Sequence, residues 1–401
     1  MASAPPDAPI DPSLAGAAQI PLQTFQLPEF PPQAQNLKAL TLTSDIALND
    51  YNSLLTDPSF TAATAIPPLP TGIESLTLEL FSLGYPAGWL EQLSKRLPNI
   101  KDLVVYSQLL GGITAESQAD AERFFENSRG LRGLHLLDVF AKPGFVSSIG
   151  DILWGERDTE QQADTLGVRK RLLFLEVNYT FQPRQEDFLD RLPARELHRL
   201  VTPSLVTCAF NVSSPDVTND PQDPTNLTKE GNEVEKKEEG IQTLKLELNE
   251  KLIEVLTKDD SRPRGLKVLN TMLYTLTIPQ LLEVVKKHTG LLILSFTIKG
   301  NDTVELSKAG LIEVFEQCPD LEQVEIVGVP GKEAQEIVDN LKSGDKLDYS
   351  MFPFMKHDFE AINKKCPKLS SFKSSVLKRE SIGYAEWTRG EDGVWKGGIV
   401  G

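Results

Sequence analysis

The chain has few of the side chains that build metal centres, disulfide frameworks or nucleophilic sites: 3 cysteines and 4 histidines in 401 residues. Cys208, Cys318 and Cys366 are too scattered for a disulfide framework, and no C-x-x-C pair suggests zinc, which fits a reducing compartment. His135, His198, His288 and His357 stand far apart, none within four residues of another, so the paired helical histidines of a metalloprotease are missing. There is no G-x-x-x-x-G-K-[ST] loop and no G-x-G-x-x-G turn after a strand, and no cofactor or metal is expected. No stretch approaches the roughly 18 apolar residues of a membrane span. Residues 1–32 lack the basic start and unbroken apolar core of a secretory signal, so an intracellular protein is expected, cytoplasmic or nuclear. The glycosylation triplets at Asn178, Asn211, Asn226 and Asn301 are therefore read as chance. Basic residues are in deficit: 41 Lys and Arg against 57 Asp and Glu give a net charge of −16. That balance disfavours nonspecific attraction to nucleic acid or an anionic membrane and favours a basic protein partner.

What the chain does have is an ordinary apolar content of 40% and a recurring pattern. An apolar residue, two variable ones, an apolar one, one variable and another apolar recur as Leu37-Leu40-Leu42, Ile73-Leu76-Leu78, Ile100-Leu103-Val105, Leu131-Leu134-Leu136, Leu172-Leu175-Val177, Leu291-Leu294-Phe296 and Leu321-Val324-Ile326. Weaker versions start at Leu197, Leu266 and Leu369. Between them lie amphipathic stretches such as Trp89, Leu90, Leu93, Leu97 and Leu311, Ile312, Phe315. Each ends in a helix-stopping turn: Leu97-Pro98, Arg129-Gly130, Thr289-Gly290, Cys318-Pro319, Cys366-Pro367. Gly111-Gly112 reads as a further plain turn. A fixed order of strand and helix predicts an α/β fold with a parallel sheet, one strand per repeat, and about nine to eleven irregular repeats.

Three segments fall outside the pattern. Residues 1–35 are Pro-rich and read as a flexible or loosely docked arm. Residues 211–240 combine Pro215, Pro221 and Pro224 with the charged run Lys229 to Glu239, and predict an acidic, disordered loop inside a solenoid that spans 36–382. Ile241, Leu244, Leu248, Leu252, Val255 and Leu256 then predict a helix. Residues 383–401 place aromatic and β-branched residues around Gly390-Glu391-Asp392-Gly393, which predicts a capping hairpin; a Trp-based peptide site is the alternative.

The turn-and-strand stretches Cys318-Pro-x-Leu-x-x-Val-x-Ile326 and Cys366-Pro-Lys-Leu-Ser-Ser-Phe372 resemble the cysteine-containing leucine-rich repeats of F-box/LRR proteins. The resemblance covers roughly residues 36–380 and implies a solenoid with the sheet on its concave side, helices on its convex side and a partner-binding role. Leu27-Pro28-Glu29-Phe30 looks like the opening of an F-box, but Pro31 and Pro32 follow where that motif needs a helix, so recruitment of a ubiquitin ligase does not carry over. Cys318 and Cys366 read as small, soft core residues, with redox or catalytic use as the alternative.

Alternation along a strand puts the residues between the buried ones on the concave face. That rule nominates Ser75, Thr77, Glu79, Asp102, Tyr106, His135, Phe174, Glu176, Asn178, Arg199, Ser295, Thr297, Gln323 and Glu325 as partner-facing, with acidic groups in excess and Tyr106 and Phe174 as aromatic anchors. A merely solvated sheet face is the bland reading of the same residues. The expected function is a noncatalytic protein-binding scaffold or adaptor, no enzyme, presenting this face to a basic protein partner. The alternatives are an assembly chaperone or the substrate-binding subunit of a ubiquitin ligase, and, from another class, an enzyme or regulator with a rim-loop site at His135 or His198.

Overall fold

A computed structural model describes residues 16–155, 171–180, 192–213, 249–300, 303–329, 354–376 and 384–400. They fall into two compact units, Met1–Leu175 and Glu176–Gly401.

The first unit contains β1 (Ala17–Leu22), β2 (Ala39–Ser44), β3 (Ser75–Glu79), β4 (Asp102–Leu109) and β5 (Gly133–Phe140), parallel and hydrogen-bonded in chain order. The repeated apolar positions are in register: Leu40 beside Leu76, Leu103 and Leu134, and Leu42 beside Leu78, Val105 and Leu136. All eight are buried. Burying each stabilises the unit by about 1.5–3 kcal/mol, which fixes the register because a one-residue slip would turn all of them to water. Helices α1 (Leu48–Leu55), α2 (Ala62–Ala65), α3 (Trp89–Arg96), α4 (Ala115–Asn127) and α5 (Phe145–Trp154) return the chain, with α3 packed on α4 and α4 on α5.

A second recurrence is invisible in composition. The carbonyl one residue before each strand accepts two N–H groups from the next repeat: Lys38 from Glu74 and Ser75, Glu74 from Lys101 and Asp102, Lys101 from Arg132 and Gly133, and Arg132 from Leu173 and Phe174. The same pattern runs through the second unit, at Val206, Lys267, Leu292 and Glu322. It satisfies the strand-entry backbone without side chains, so the entry residues are free to vary.

The Pro-rich segment 1–35 is not a loose arm over its described part. Ala17–Leu22 is the first strand, and Leu22, Phe25 and Leu27 are buried. Phe25 is packed among Tyr51, Phe81, Tyr85 and Trp89, and the Trp89 indole donates to its carbonyl at 2.9 Å. Proline is tolerated because the strand lies at a sheet edge, where a missing donor costs little.

The second unit contains β6 (Phe174–Thr180, which begins at the end of the first unit), β7 (Thr207–Ser213), β8 (Val268–Thr277), β9 (Ile293–Lys299), β10 (Gln323–Val329) and β11 (Ser371–Val376), with β7 to β11 parallel and in chain order. The antiparallel hairpin of β12 (Tyr384–Arg389) and β13 (Trp395–Val400) follows, pairing with β11. Its Trp395 stacks on Phe359 at 4.4 Å. The helices are α6 (Asn249–Thr257), α7 (Ile278–Lys287), α8 (Val304–Glu316) and α9 (Lys356–Ile362).

Two expectations change here, and one strand is irregular. The repeat at Leu197 is a 3-10 helix, Leu197–Leu200, and the strand comes only at Thr207; Pro203 follows too closely for Leu197 to open a strand. Residues 211–213, expected in the loop, complete β7; residues 214–248, with the charged run and the start of the expected helix, lie outside the described residues. Finally, β8 carries three extra residues, Met272 to Tyr274, between Thr271 (opposite Phe296) and Thr275 (opposite Thr297).

Candidate protein-binding face

In the first unit, register assembles the strand face opposite the core into rows. Ser75 lies beside Asp102 and Gly133, Thr77 beside Val104 and His135, and Glu79 beside Tyr106 and Leu137. Directly opposed residues on neighbouring strands are about 4.5–5.5 Å apart, so five nominated residues, Glu79, Asp102, Tyr106, His135 and Phe174, share one face. Each is held differently.

Glu79 accepts from the Thr43 hydroxyl at 3.0 Å, and Thr43 in turn accepts from the Gln19 amide at 3.3 Å. This relay across β1, β2 and β3 orients the carboxylate without neutralising it. Asp102 reaches sideways over the next strand, where a Cβ at Gly133 would collide with its Oδ1. Tyr106 is 39% exposed. The rings of His135 and Phe174 stack at 4.6 Å with 29° between their planes.

The rows end at a shared irregularity. Leu80, Ser107 and Asp138 follow Glu79, Tyr106 and Leu137, and all three have left-handed backbones with φ of 61°, 52° and 52°. A non-glycine residue there costs about 1–2 kcal/mol. The left-handed residues switch the alternation while the register is kept, Tyr106 pairing with Leu137 and Gln108 with Val139: Leu103 and Val105 are buried before them, Gln108 after. Gln108 is held by donating to the Leu78 carbonyl at 3.0 Å and accepting from the Tyr85 hydroxyl at 2.6 Å. The apolar repeat gives no warning of this row, because leucine, serine and aspartate share no signature. Thr43, by contrast, was accessible to the same alternation rule that found Glu79.

The nominated residues of the second unit do not form a comparable cluster. Glu325 is paired with Lys373 on the adjacent strand at 3.5 Å, beside exposed Gln323. Glu176 and Asn178 are half-buried on β6. Arg199, expected on a strand, is on the 3-10 helix. Ser295 and Thr297, expected to face outward, are buried, and the Thr297 hydroxyl donates to the Met272 carbonyl at 2.8 Å within the β8 insertion. His198 is held below its ordinary pKa by burial and by the charge of Lys251, against an opposing pull from Glu254.

The cysteines are core residues. Cys208, Cys318 and Cys366 are fully buried, which pushes their thiols up to about 12, about 12 and about 11 and removes the thiolate that redox or nucleophilic chemistry needs. Gly111 and Gly112 both have positive φ, as a plain turn requires. Among the described residues, no group of three or more His, Cys, Asp or Glu side chains could hold a metal ion, and no helix is long and apolar enough to cross a membrane.

No family model matches the chain. No curated protein matches it in sequence. Among solved structures it is similar to a chain of the yeast Rad7 and Elc1 complex, at 14% identity and a TM-score of 0.34, over 91% of this chain and 80% of that one. A likeness at that level carries no weight for function, which rests on the face itself.

Proposed function

We propose that the protein is a noncatalytic interaction scaffold whose open strand face in the first unit binds a partner protein. One observation carries this reading: the acidic groups of that face are positioned but not neutralised. Glu79 has a hydroxyl partner, and among the described residues neither it nor Asp102 has an ion pair, whereas Glu74, one residue before β3, is paired with Lys101 at 2.6 Å and Lys38 at 3.7 Å. Unpaired carboxylates beside an exposed aromatic ring suit a cationic protein surface.

Of the finer versions, the assembly factor that shields a basic client is favoured over the ligase adaptor. Among the described residues, the stretch resembling an F-box opening leads from buried Leu27 into a single 3-10 helix, Pro32–Asn36, and offers no helix pair. A photo-crosslinking residue placed at Thr77 on the face, and in parallel at Gln92 on α3, tests the reading in the native cell. Partner adducts at Thr77 and none at Gln92 are expected. Adducts confined to Gln92 would overturn it.

A further inference from the structure

One row of the face carries chemistry that specifies more than a basic partner. Gly133 is directly opposite Asp102 on β4. On its other side, the Phe174 N–H donates to the Arg132 carbonyl as the Gly133 N–H does to the Lys101 carbonyl, which places Phe174 in the same row. The row therefore reads carboxylate, glycine, aromatic ring. Glycine leaves the middle position without a side chain, and the exposed Asp102 carboxylate fills that space, covering Gly133 and reaching toward the Phe174 strand. His135, one step further along β5, backs the Phe174 ring.

We infer that this carboxylate and ring take the guanidinium of an arginine carried on an extended segment of the partner, stacked on Phe174 and paired with Asp102. The inference rests on the reading that this face is the binding surface. A guanidinium is flat and weakly hydrated, so it can slide against a ring and still present N–H groups in its own plane to a carboxylate; a compact, strongly hydrated lysine ammonium does both less well. Among the described residues no internal cation fills the role: Arg132, one residue before Gly133, makes no ion pair with Asp102, and Lys38 and Lys101 are occupied by Glu74. Tyr106 and Glu79 form a second pairing of ring and carboxylate on adjacent strands. Asp102 and Tyr106 are four residues apart on β4, about 13 Å, so two cations of one extended chain can be met together.

The test is fluorescence anisotropy with the full chain and a labelled unstructured peptide of alternating arginine and serine, against the same peptide with lysine and with citrulline. The arginine peptide is expected to bind, the lysine peptide about fivefold or more weaker, and the citrulline peptide not measurably. Phe174→Leu, which keeps apolar bulk but removes the ring, and Asp102→Asn are each expected to weaken the arginine peptide by about fivefold or more. Gly133→Ala is expected to do the same by pushing the Asp102 carboxylate out of its place over the glycine, and Glu313→Gln on α8 to change nothing. Equal affinity for arginine and lysine, or an unchanged affinity in Phe174→Leu with its fold confirmed by circular dichroism, overturns the inference. Should crosslinking place a partner at Thr77 while the arginine peptide fails to bind, the arginine assignment falls and the scaffold reading stands; adducts confined to Gln92 would remove both.

Discussion

The Cys366 thiol donates to the Phe315 carbonyl at 2.9 Å, so a side chain of one repeat satisfies the end of the helix before it. Phe315 is in the last turn of α8, where the helix runs out of donors, and its carbonyl also accepts from the Cys318 N–H at 2.9 Å. One repeat earlier, the Cys318 thiol lies 3.8 Å from the His288 carbonyl at the end of α7, and before that the His288 Nε2 lies 2.7 Å from the Leu256 carbonyl in α6. His288, Cys318 and Cys366 occupy one slot, two of them with the proline that stops the helix immediately after.

This slot predicts thiol behaviour. In the folded protein at pH 8 all three cysteines should resist alkylation, and they should react together once denaturant unfolds the second unit. Cys366→Ala should cost about 1–3 kcal/mol through the lost thiol packing and one lost bond to the Phe315 carbonyl, which keeps the Cys318 N–H. Chemical denaturation reads the cost, and rapid labelling of the native protein would contradict the assignment.

How much was legible in the sequence follows from what each feature depends on. The repeated leucines have period 2 within a strand, so register and core were readable, and with them Glu79, Asp102, Tyr106, His135 and Phe174. The errors have separate causes. Ser295 and Thr297 were placed by alternation alone, but both are buried, Thr297 against the insertion in the neighbouring strand β8, and alternation within one strand carries no information about the next. Arg199 failed because an apolar spacing of three also suits a 3-10 turn. β1 was obscured because proline in a strand looks like disorder unless the strand is known to be at an edge.

His288 makes stability pH-dependent. Burial holds its imidazole below the ordinary value of 6.5, with the Leu256 carbonyl opposing. The unfolded chain therefore takes up the proton first as pH falls, so this contribution is complete above pH 6.5 and is lost on acidification below it. His288→Gln should flatten the loss between neutral pH and pH 5 in denaturation midpoints; an unchanged slope would assign it to other groups.

Asp120 on α4 ties two repeats of the first unit together. Its carboxylate is fully buried and accepts from the N–H groups of Leu90 and Glu91 at 2.9 and 3.0 Å, capping α3 from outside its own repeat. Burial raises its pKa against the lowering effect of these bonds. Asp120→Ala orphans both donors and should cost about 2–3 kcal/mol, and Asp120→Asn should recover part of that because its oxygen can still accept one of them. Amide exchange at Leu90 and Glu91 should speed up in both variants, more in the alanine one.

Lys308 and Asp358 form a nearly buried ion pair at 2.9 Å, with side chains 13% and 8% exposed, between α8 and α9. Asp358 also accepts from the Met355 N–H at 2.7 Å. Removing the cation alone leaves a buried charge, so Lys308→Ala should destabilise by about 3–5 kcal/mol. Lys308→Met with Asp358→Asn should recover much of it, because the uncompensated charge is gone while the asparagine can still cap. A double-mutant cycle measures the coupling, and additive effects would mean that the pair contributes nothing of its own.

The two units should differ in what a lost carboxylate does to binding. Glu325 is already met by Lys373 at 3.5 Å, while Glu79 is oriented by Thr43 and met by no cation among the described residues. An incoming cation gains from Glu79 the attraction that Lys373 has already taken from Glu325. Glu79→Gln should therefore weaken the arginine peptide by about threefold to tenfold and reduce its sensitivity to salt, and Glu325→Gln should leave both nearly unchanged. Thr43→Val keeps the charge but frees the carboxylate to wander, and should fall between them. Equal effects at Glu79 and Glu325 would show that the peptide responds to net charge and not to an organised face.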